Sequence, residues 1–429
     1  MSTQTQVATS HTSSRRTIIT SIDDSPKATL RSPEQIQHYD LHGASFEVPS
    51  FTMKQIYDAI PNHCFRPSNM RSAAYVVRDL VFTGILLYGA VNIPLISSTP
   101  LRALAWSAYA VAQGMVWTGV WILAHECGHG ALFTHRWMNN IVGLVLHSFL
   151  LVPFHSWRIS HAKHHKATGH LQRDMIFIPE TKDEFLDRKF GKSFDLNLSH
   201  MVEDAPLYSL YKLLEHQFFG MPLYLLFSIS APYKGNGRYP WWKLNHFYLG
   251  KDGPIFQAKD VRDVLISDIG IATMLAAIYA SAKYFGTWNT FIMYIVPYFF
   301  VNHWIVAITY LHHTDGSLPH YADGAWSFPR GASATIDRDF GFIGRHIFHS
   351  IIETHVLHHL VSTIPFYKSH EATMAIKGIL GKSYRSDTKT NFLMALWRNF
   401  RRCQWIEESI NGSGVFFFRN LEWEMKRMK

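Results

Sequence analysis

The chain has 429 residues, long enough for two or three ordinary soluble domains, yet only 17% are charged and 14% are aromatic. A soluble chain carries roughly 25% charged residues, so this composition points to contact with lipid and excludes intrinsic disorder, collagen-like repeats and a disulfide scaffold. The three cysteines are too scattered for a disulfide framework or a thiolate zinc site, and the net charge of +9 comes without a long Lys/Arg block, so no nucleic-acid partner is expected.

Residues 1–50 are expected to form a disordered, Ser/Thr-rich cytoplasmic tail without the apolar run of a secretory signal. Residues 51–404 read as one membrane domain and 405–429 as a cytoplasmic C-terminal tail. Four apolar stretches are candidate spans: Leu80–Ile96, Ala103–Leu123, Ile269–Ala282 and Asn289–Leu311. The short connections Ser97–Arg102 and Phe285–Trp288 make them two helical hairpins. Nearly all Lys and Arg lie outside the hairpins, which puts both termini on the cytoplasmic side. Ile141–Phe154 and Met221–Ser230 are too short to span and read as interfacial or buried helices. Glu180–Asp204 reads as a charged, soluble excursion. The expected fold class is therefore all-α: four transmembrane helices, interfacial helices and a cytoplasmic helical domain.

The 26 histidines are the oddest feature of the composition. Eight fall into three clusters, His125-Glu-Cys-Gly-His129, His161-Ala-Lys-His164-His165 and His355-Val-Leu-His358-His359. Residues three and four apart share a helix face, so each cluster can aim two or three imidazoles at one point. His313, at the end of the fourth span, is a ninth candidate; its neighbour His312 cannot share its face. His303 lies inside a span and reads as a hydrogen-bonded bundle residue. Nine imidazoles are too many for one ion and suit a pair taking four or five nitrogens each. Zinc, copper, iron and nickel all accept imidazole, so ligand type alone does not name the metal.

Other chemistries compete for the same residues. The first cluster matches H-E-x-x-H, the signature of a zinc metalloprotease with Glu126 as general base; a membrane-embedded protease of that kind leaves six histidines idle. Glu126-x-x-His129 also matches half of a carboxylate-bridged di-iron bundle, but no second Glu-x-x-His exists in the chain. A solute carrier would line its spans with histidines, whereas here the clusters flank them. A histidine-rich two-metal site beside a membrane best suits oxygen activation on a lipid chain.

Five runs carry a family resemblance: Ala124-HECGH, the stretch Ser156-WRISHAKHHKATGH-Leu171 followed by Arg173-Asp174, Ile308-TYLHHTDGSLPHY-Ala322, Ile347-FHSIIETHVLHH-Leu360 and Ser362-TIPFY-Lys368. On these the chain resembles the membrane-bound fatty acid desaturases, specifically the fungal delta-12 (oleate) and omega-3 group, over roughly Phe51 to Gln404. The resemblance implies two non-haem iron ions at the cytoplasmic face of the endoplasmic reticulum membrane, with O2 as co-substrate. It maps the ligands onto His125, His129, His161, His164, His165, His313, His355, His358 and His359. It further implies electrons from a separate cytochrome b5 with its reductase, and a fatty acyl chain on phospholipid or CoA that gains one cis double bond. Relatives with the same clusters include hydroxylases, conjugases and acetylenases. Departures from the usual pattern are Gly130 and Ala131 after the first cluster, His312 where Gln is common, and Asp315-Gly316 in place of Asp-Pro. Asp174, Glu126 and Asp337 are candidate acceptors for the distal imidazole N–H groups. Lys426–Lys429 resembles a dibasic retrieval signal.

Overall fold

The computed structural model describes residues 37–176, 178–190, 206–230 and 239–428. Residues 1–36, and with them most of the expected N-terminal tail, lie outside this set, as do most of the excursion 180–204 and Lys429 of the basic C-terminus. The chain begins with two short antiparallel strands, β1 (His38–Tyr39) and β2 (Ser45–Phe46). Helix α1 (Met53–Ala59) starts on a capping box, in which Thr52 accepts from Gln55 N and the Gln55 side chain accepts from Thr52 N.

Two helices form the first hairpin, α2 (Asn69–Asn92) and α3 (Thr99–His129). They outrun the apolar stretches read from the sequence because caps, not hydrophobicity, end a helix. Ser68 accepts from Arg71 N at the start of α2. At the end of α3, Gly130 adopts φ 70°, which lets Ala131 N return to Glu126 O at 3.0 Å. The glycine that departs from the usual pattern is what stops the helix one residue after His129.

Helices α4 (Arg136–Phe149) and α5 (Phe154–Ala167) meet at 104°. Then follow α6 (Lys182–Phe190), α7 (Pro206–Phe227) and α8 (Val261–Tyr284). The short α9 (Thr287–Thr290) continues through a wider π-type turn at Phe291–Ile295 into α10 (Val296–His313). Beyond α10 come β3 (Pro319–Tyr321), α11 (Phe328–Ala332), β4 (Asp337–Arg338), α12 (His355–Leu360) and α13 (Phe366–Leu380). The chain closes with β5 (Ser386–Asp387), α14 (Phe392–Arg402), β6 (Trp405–Glu408), β7 (Val415–Arg419) and α15 (Leu421–Met428).

The expected all-α class needs correction at this point. The chain is mostly helical, but small sheets lie among its later elements. Strand β7 pairs antiparallel with both β3 and β6, and β4 pairs parallel with β5. Residues 405–428, read from the sequence only as a tail, supply two of these strands, with Trp405 and Phe417 fully buried. Strand β7 is paired on both sides, with β6 and with the distant β3, which a single-residue pattern search does not register.

Among the described residues, three helices are long and apolar enough to cross a membrane: Asn69–Leu95, Ala258–Tyr284 and Thr287–His313. The second expected span, Ala103–Leu123, lies on α3, which is not one of the three. Helix α3 is the hub of the bundle, packed against α2, α4 and α10. Its inner faces carry Gln113, Gly114, Thr118 and Gly119, small and polar residues that central packing needs and a hydropathy average discounts. The outer faces are apolar and exposed: Val77, Leu80, Val81 and Ile85 on α2, Ile269, Leu275 and Tyr279 on α8. Exposed apolar surface on that scale marks contact with lipid.

A Cβ at Gly114 would stand 2.3 Å from Phe300 Cβ and 3.1 Å from Pro297 O, so α3 and α10 meet backbone to backbone there. Gly114→Val is expected to cost about 1–3 kcal/mol, read as a lower thermal midpoint and a smaller yield of monodisperse protein.

Candidate metal centre

Five imidazoles converge from three elements. His125 and His129 stand one turn apart at the end of α3, His161 and His165 one turn apart on α5, and His358 comes from α12. One nitrogen of each lies within 4.8 Å of all the others. The 104° turn between α4 and α5 is what returns the second cluster to the first. Had the segment from α4 to α5 run straight through a membrane, His161 and His125 would lie on opposite sides. Instead their Nε2 atoms are 3.0 Å apart.

Three of these contacts close a triangle: His125–His161 at 3.0 Å, His125–His129 at 3.2 Å and His129–His161 at 3.1 Å, all between Nε2 atoms. A ring nitrogen either carries a proton or presents a lone pair. In a triangle at least two corners are therefore alike, and hydrogen bonding cannot satisfy all three edges. A cation among three lone pairs does satisfy them. Nitrogens bound at about 2.1 Å and at right angles to one another would be ~3.0 Å apart, which matches these edges.

A second group lies beside the first: His164 of α5, His313 of α10 and His359 of α12, again within 4.8 Å. His355 joins it, with Nε2 3.3 Å from His313 Nε2. All nine histidines singled out from the sequence thus meet in one of two adjoining places. His312 does not. Its Nδ1 faces Ile336 O and its ring stacks on His355 with centroids 4.2 Å apart. His303 packs between Phe218 and Trp304, away from both groups.

Neighbouring groups set which nitrogen each ring presents. Asp174, fully buried, has only acceptors, so His164 donates Nδ1–H to it at 2.7 Å and turns Nε2 inward. Thr168 donates its hydroxyl to His164 O at 2.8 Å and accepts from His359 Nδ1 at 3.1 Å, which leaves His359 Nε2 bare. Sequence reasoning named Asp174 but missed Thr168; its place four residues after His164 is the signal. Of the other candidate acceptors, Asp337 takes Val356 N at 2.8 Å and meets no imidazole nitrogen by hydrogen bond. Glu126 Oε1 lies 3.4 Å from His125 Nδ1, on the edge of the ring opposite the converging Nε2 atoms. A protease's general base would have to face the metal side, so the geometry disfavours the zinc-protease reading. Burial, and then the neighbouring imidazoles, push the pKa values of His355, His358 and His359 well below the ordinary histidine value. These rings are neutral near pH 7, the form that binds a metal.

A narrow cavity opens onto these nitrogens. Its walls are apolar side chains of α3 and α10, among them Trp121, Ile122, Ile305 and Ile308. His164, His313, His355 and His359 line it, joined by His125 and His161. The arrangement sets an apolar wall against imidazoles of both groups.

Comparison with known proteins follows the same residues. The family profile described as Fatty acid desaturase matches residues 103–391, an interval that contains all nine histidines. An oleate hydroxylase of Claviceps purpurea is 41% identical over 442 aligned positions, covering 97% of this chain and 92% of that one. A Delta(12) fatty acid desaturase of Mortierella alpina is 43% identical over 379 positions, covering 87% of this chain and 92% of that one. An endoplasmic reticulum omega-6 fatty acid desaturase of Brassica juncea is 39% identical over 392 positions, covering 91% and 97%.

Proposed function

The chain belongs to the fatty acid desaturase family, and on that premise we propose that it inserts a cis double bond into an oleoyl-type acyl chain, at the delta-12 position or the omega-3 position. The observation that carries this reading is the pair of imidazole groups lining an apolar cavity. We assign the metal to iron, two ions per chain, because iron supplies the dioxygen activation and hydrogen removal that side chains cannot. The first ion would be held by His125, His129, His161, His165 and His358, the second by His164, His313, His355 and His359.

The protein's own part is to bind, orient and exclude water. Trp121, Ile122, Ile305 and Ile308 would hold the acyl chain by apolar contact and keep the reacting carbons dry. Asp174 and Thr168 hold His164 and His359 in the tautomer whose proton sits on Nδ1. Per double bond, one O2, two electrons and two protons are consumed and two waters leave. We assign the electron supply to cytochrome b5 with its reductase, the location to the endoplasmic reticulum membrane with both termini cytoplasmic, and the acyl carrier to phospholipid or CoA. In this reading α2 with α3 and α8 with α10 cross as two hairpins, while α4, α5 and α7 lie at the interface.

The similarity to an oleate hydroxylase over 97% of this chain favours a second reading, in which the same site places a hydroxyl. Expression in yeast, which supplies oleate and cytochrome b5, separates the two by mass spectrometry of fatty acids. New linoleate, or a further bond beyond it, is the expected product. A hydroxylated chain would select the second reading, and unchanged fatty acids with one zinc and no iron in the purified protein would return the protease.

A further inference from the structure

The two-residue strand β4 touches two of the three elements that supply the smaller histidine group, α10 and α12. α10 ends at His313, and the last carbonyls of a helix have no partner within it. Here they are taken from outside: Arg338 Nε donates to Leu311 O at 3.1 Å and Ile336 N donates to His312 O at 3.2 Å. Arg338 Nη2 donates to Asp315 Oδ2 at 2.8 Å, while Asn399 Nδ2 reaches both that oxygen, at 3.1 Å, and Thr314 O, at 2.8 Å. Two of the guanidinium's acceptors, Leu311 and Asp315, stand two residues before and two residues after His313, and Nη1 also donates to Asp387 Oδ2 at 3.4 Å. One residue upstream, Asp337 Oδ1 accepts from Val356 N at 2.8 Å in the first turn of α12, and Arg338 N donates to Ile352 O at 3.0 Å.

Arg338 is 2% exposed and Asp315 6%. Taking such a pair out of water costs about as much as its attraction returns, so stability does not account for it. A guanidinium's planar fork does what a point charge cannot, holding two acceptors at one fixed angle. We propose that Arg338 is a positioning residue for His313: clamped between Leu311 O and Asp315, it sets the rotation of the last turn of α10 against α12, and so assembles the group His164, His313, His355 and His359. This rests on the two-iron reading above. The five-histidine group takes no ligand from α10, and α12 gives it His358 alone.

The test is iron per folded chain, with product formation as a second readout, in purified full-length wild type, Arg338→Gln and Arg338→Lys. Lysine keeps the charge but offers one terminal nitrogen, so it cannot serve both acceptors in the same geometry. The expected result for Arg338→Gln is loss of one of the two irons per folded chain and an activity loss of at least about tenfold. Arg338→Lys should bind its second iron at least about tenfold more weakly at a near wild-type thermal midpoint. It decides the matter if Arg338→Gln does not accumulate. A purely structural role would lower the yield of folded protein and leave iron per folded chain unchanged. That outcome, or full iron and full activity in Arg338→Lys, would overturn the inference alone. A wild-type enzyme without two irons would overturn the reading beneath it and the inference together.

Discussion

Replacing His161 with Ala is expected to abolish double-bond formation, a loss of at least about 10³-fold, or ~4 kcal/mol of transition-state stabilisation. No other imidazole is as central. His161 Nε2 lies 3.0 Å from that of His125 and 3.1 Å from those of His129 and His165, so its removal opens three edges of the five-nitrogen cluster. Its ring also stacks on Trp157, with centroids 4.3 Å apart and planes 20° apart, which fixes its direction. Product analysis in yeast, with immunoblots of the membrane fraction, measures both parts of the expectation: no new fatty acid and normal membrane insertion. His358→Ala should behave alike, because α12 contributes that ring alone to the same cluster. His346→Ala, on an exposed residue outside both groups, should stay within about twofold of wild type. Desaturation retained in both His161→Ala and His358→Ala would refute the ligand assignment.

Asp174→Asn should lower activity and iron affinity by about 10- to 100-fold, without unfolding the protein. Asp174 Oδ1 accepts from His164 Nδ1 at 2.7 Å and from Ile176 N at 2.9 Å, and Oδ2 accepts from Gly169 N at 3.2 Å. Each of these three partners is a donor, and the carboxylate is fully buried. An amide of the same shape keeps one acceptor but turns an NH2 toward donors on the other side. His164 would then lose either its anionic partner or its orientation. Iron content measured beside product formation separates the two effects: iron affinity falls together with activity if Asp174 acts through His164. Unchanged iron and activity in Asp174→Asn would show that His164 needs no such partner.

The apolar hairpins and the histidine clusters were legible from the residues because both are short-range patterns. Leu80–Ile96 falls within the first helical hairpin, with its exposed Val81 and Ile85, and the spacing of His161 and His165 already puts them on one helix face. Features made by residues distant in sequence were not legible. Strand β4 has two residues and no pattern of its own, yet Arg338 reaches Leu311 and Asp315 and Asp337 reaches Val356. Thr168 meets His359 across 191 positions of chain. The C-terminal strands are short, and β7 pairs with β3 from a distant part of the chain.

The sequence by itself pointed to nine imidazoles gathering beside an apolar bundle. Which histidine falls in which group was decided by the tertiary structure, and the division cuts across the clusters. His161 and His165 belong to one group and the adjacent His164 to the other; His358 and His359, neighbours in the chain, are likewise parted. The reason is helical geometry. Successive residues point about 100° apart, so an adjacent pair cannot share a target, and its second ring has a use only if another element arrives on that side. The turn between α4 and α5, the end of α10 and the short α12 bring those elements together.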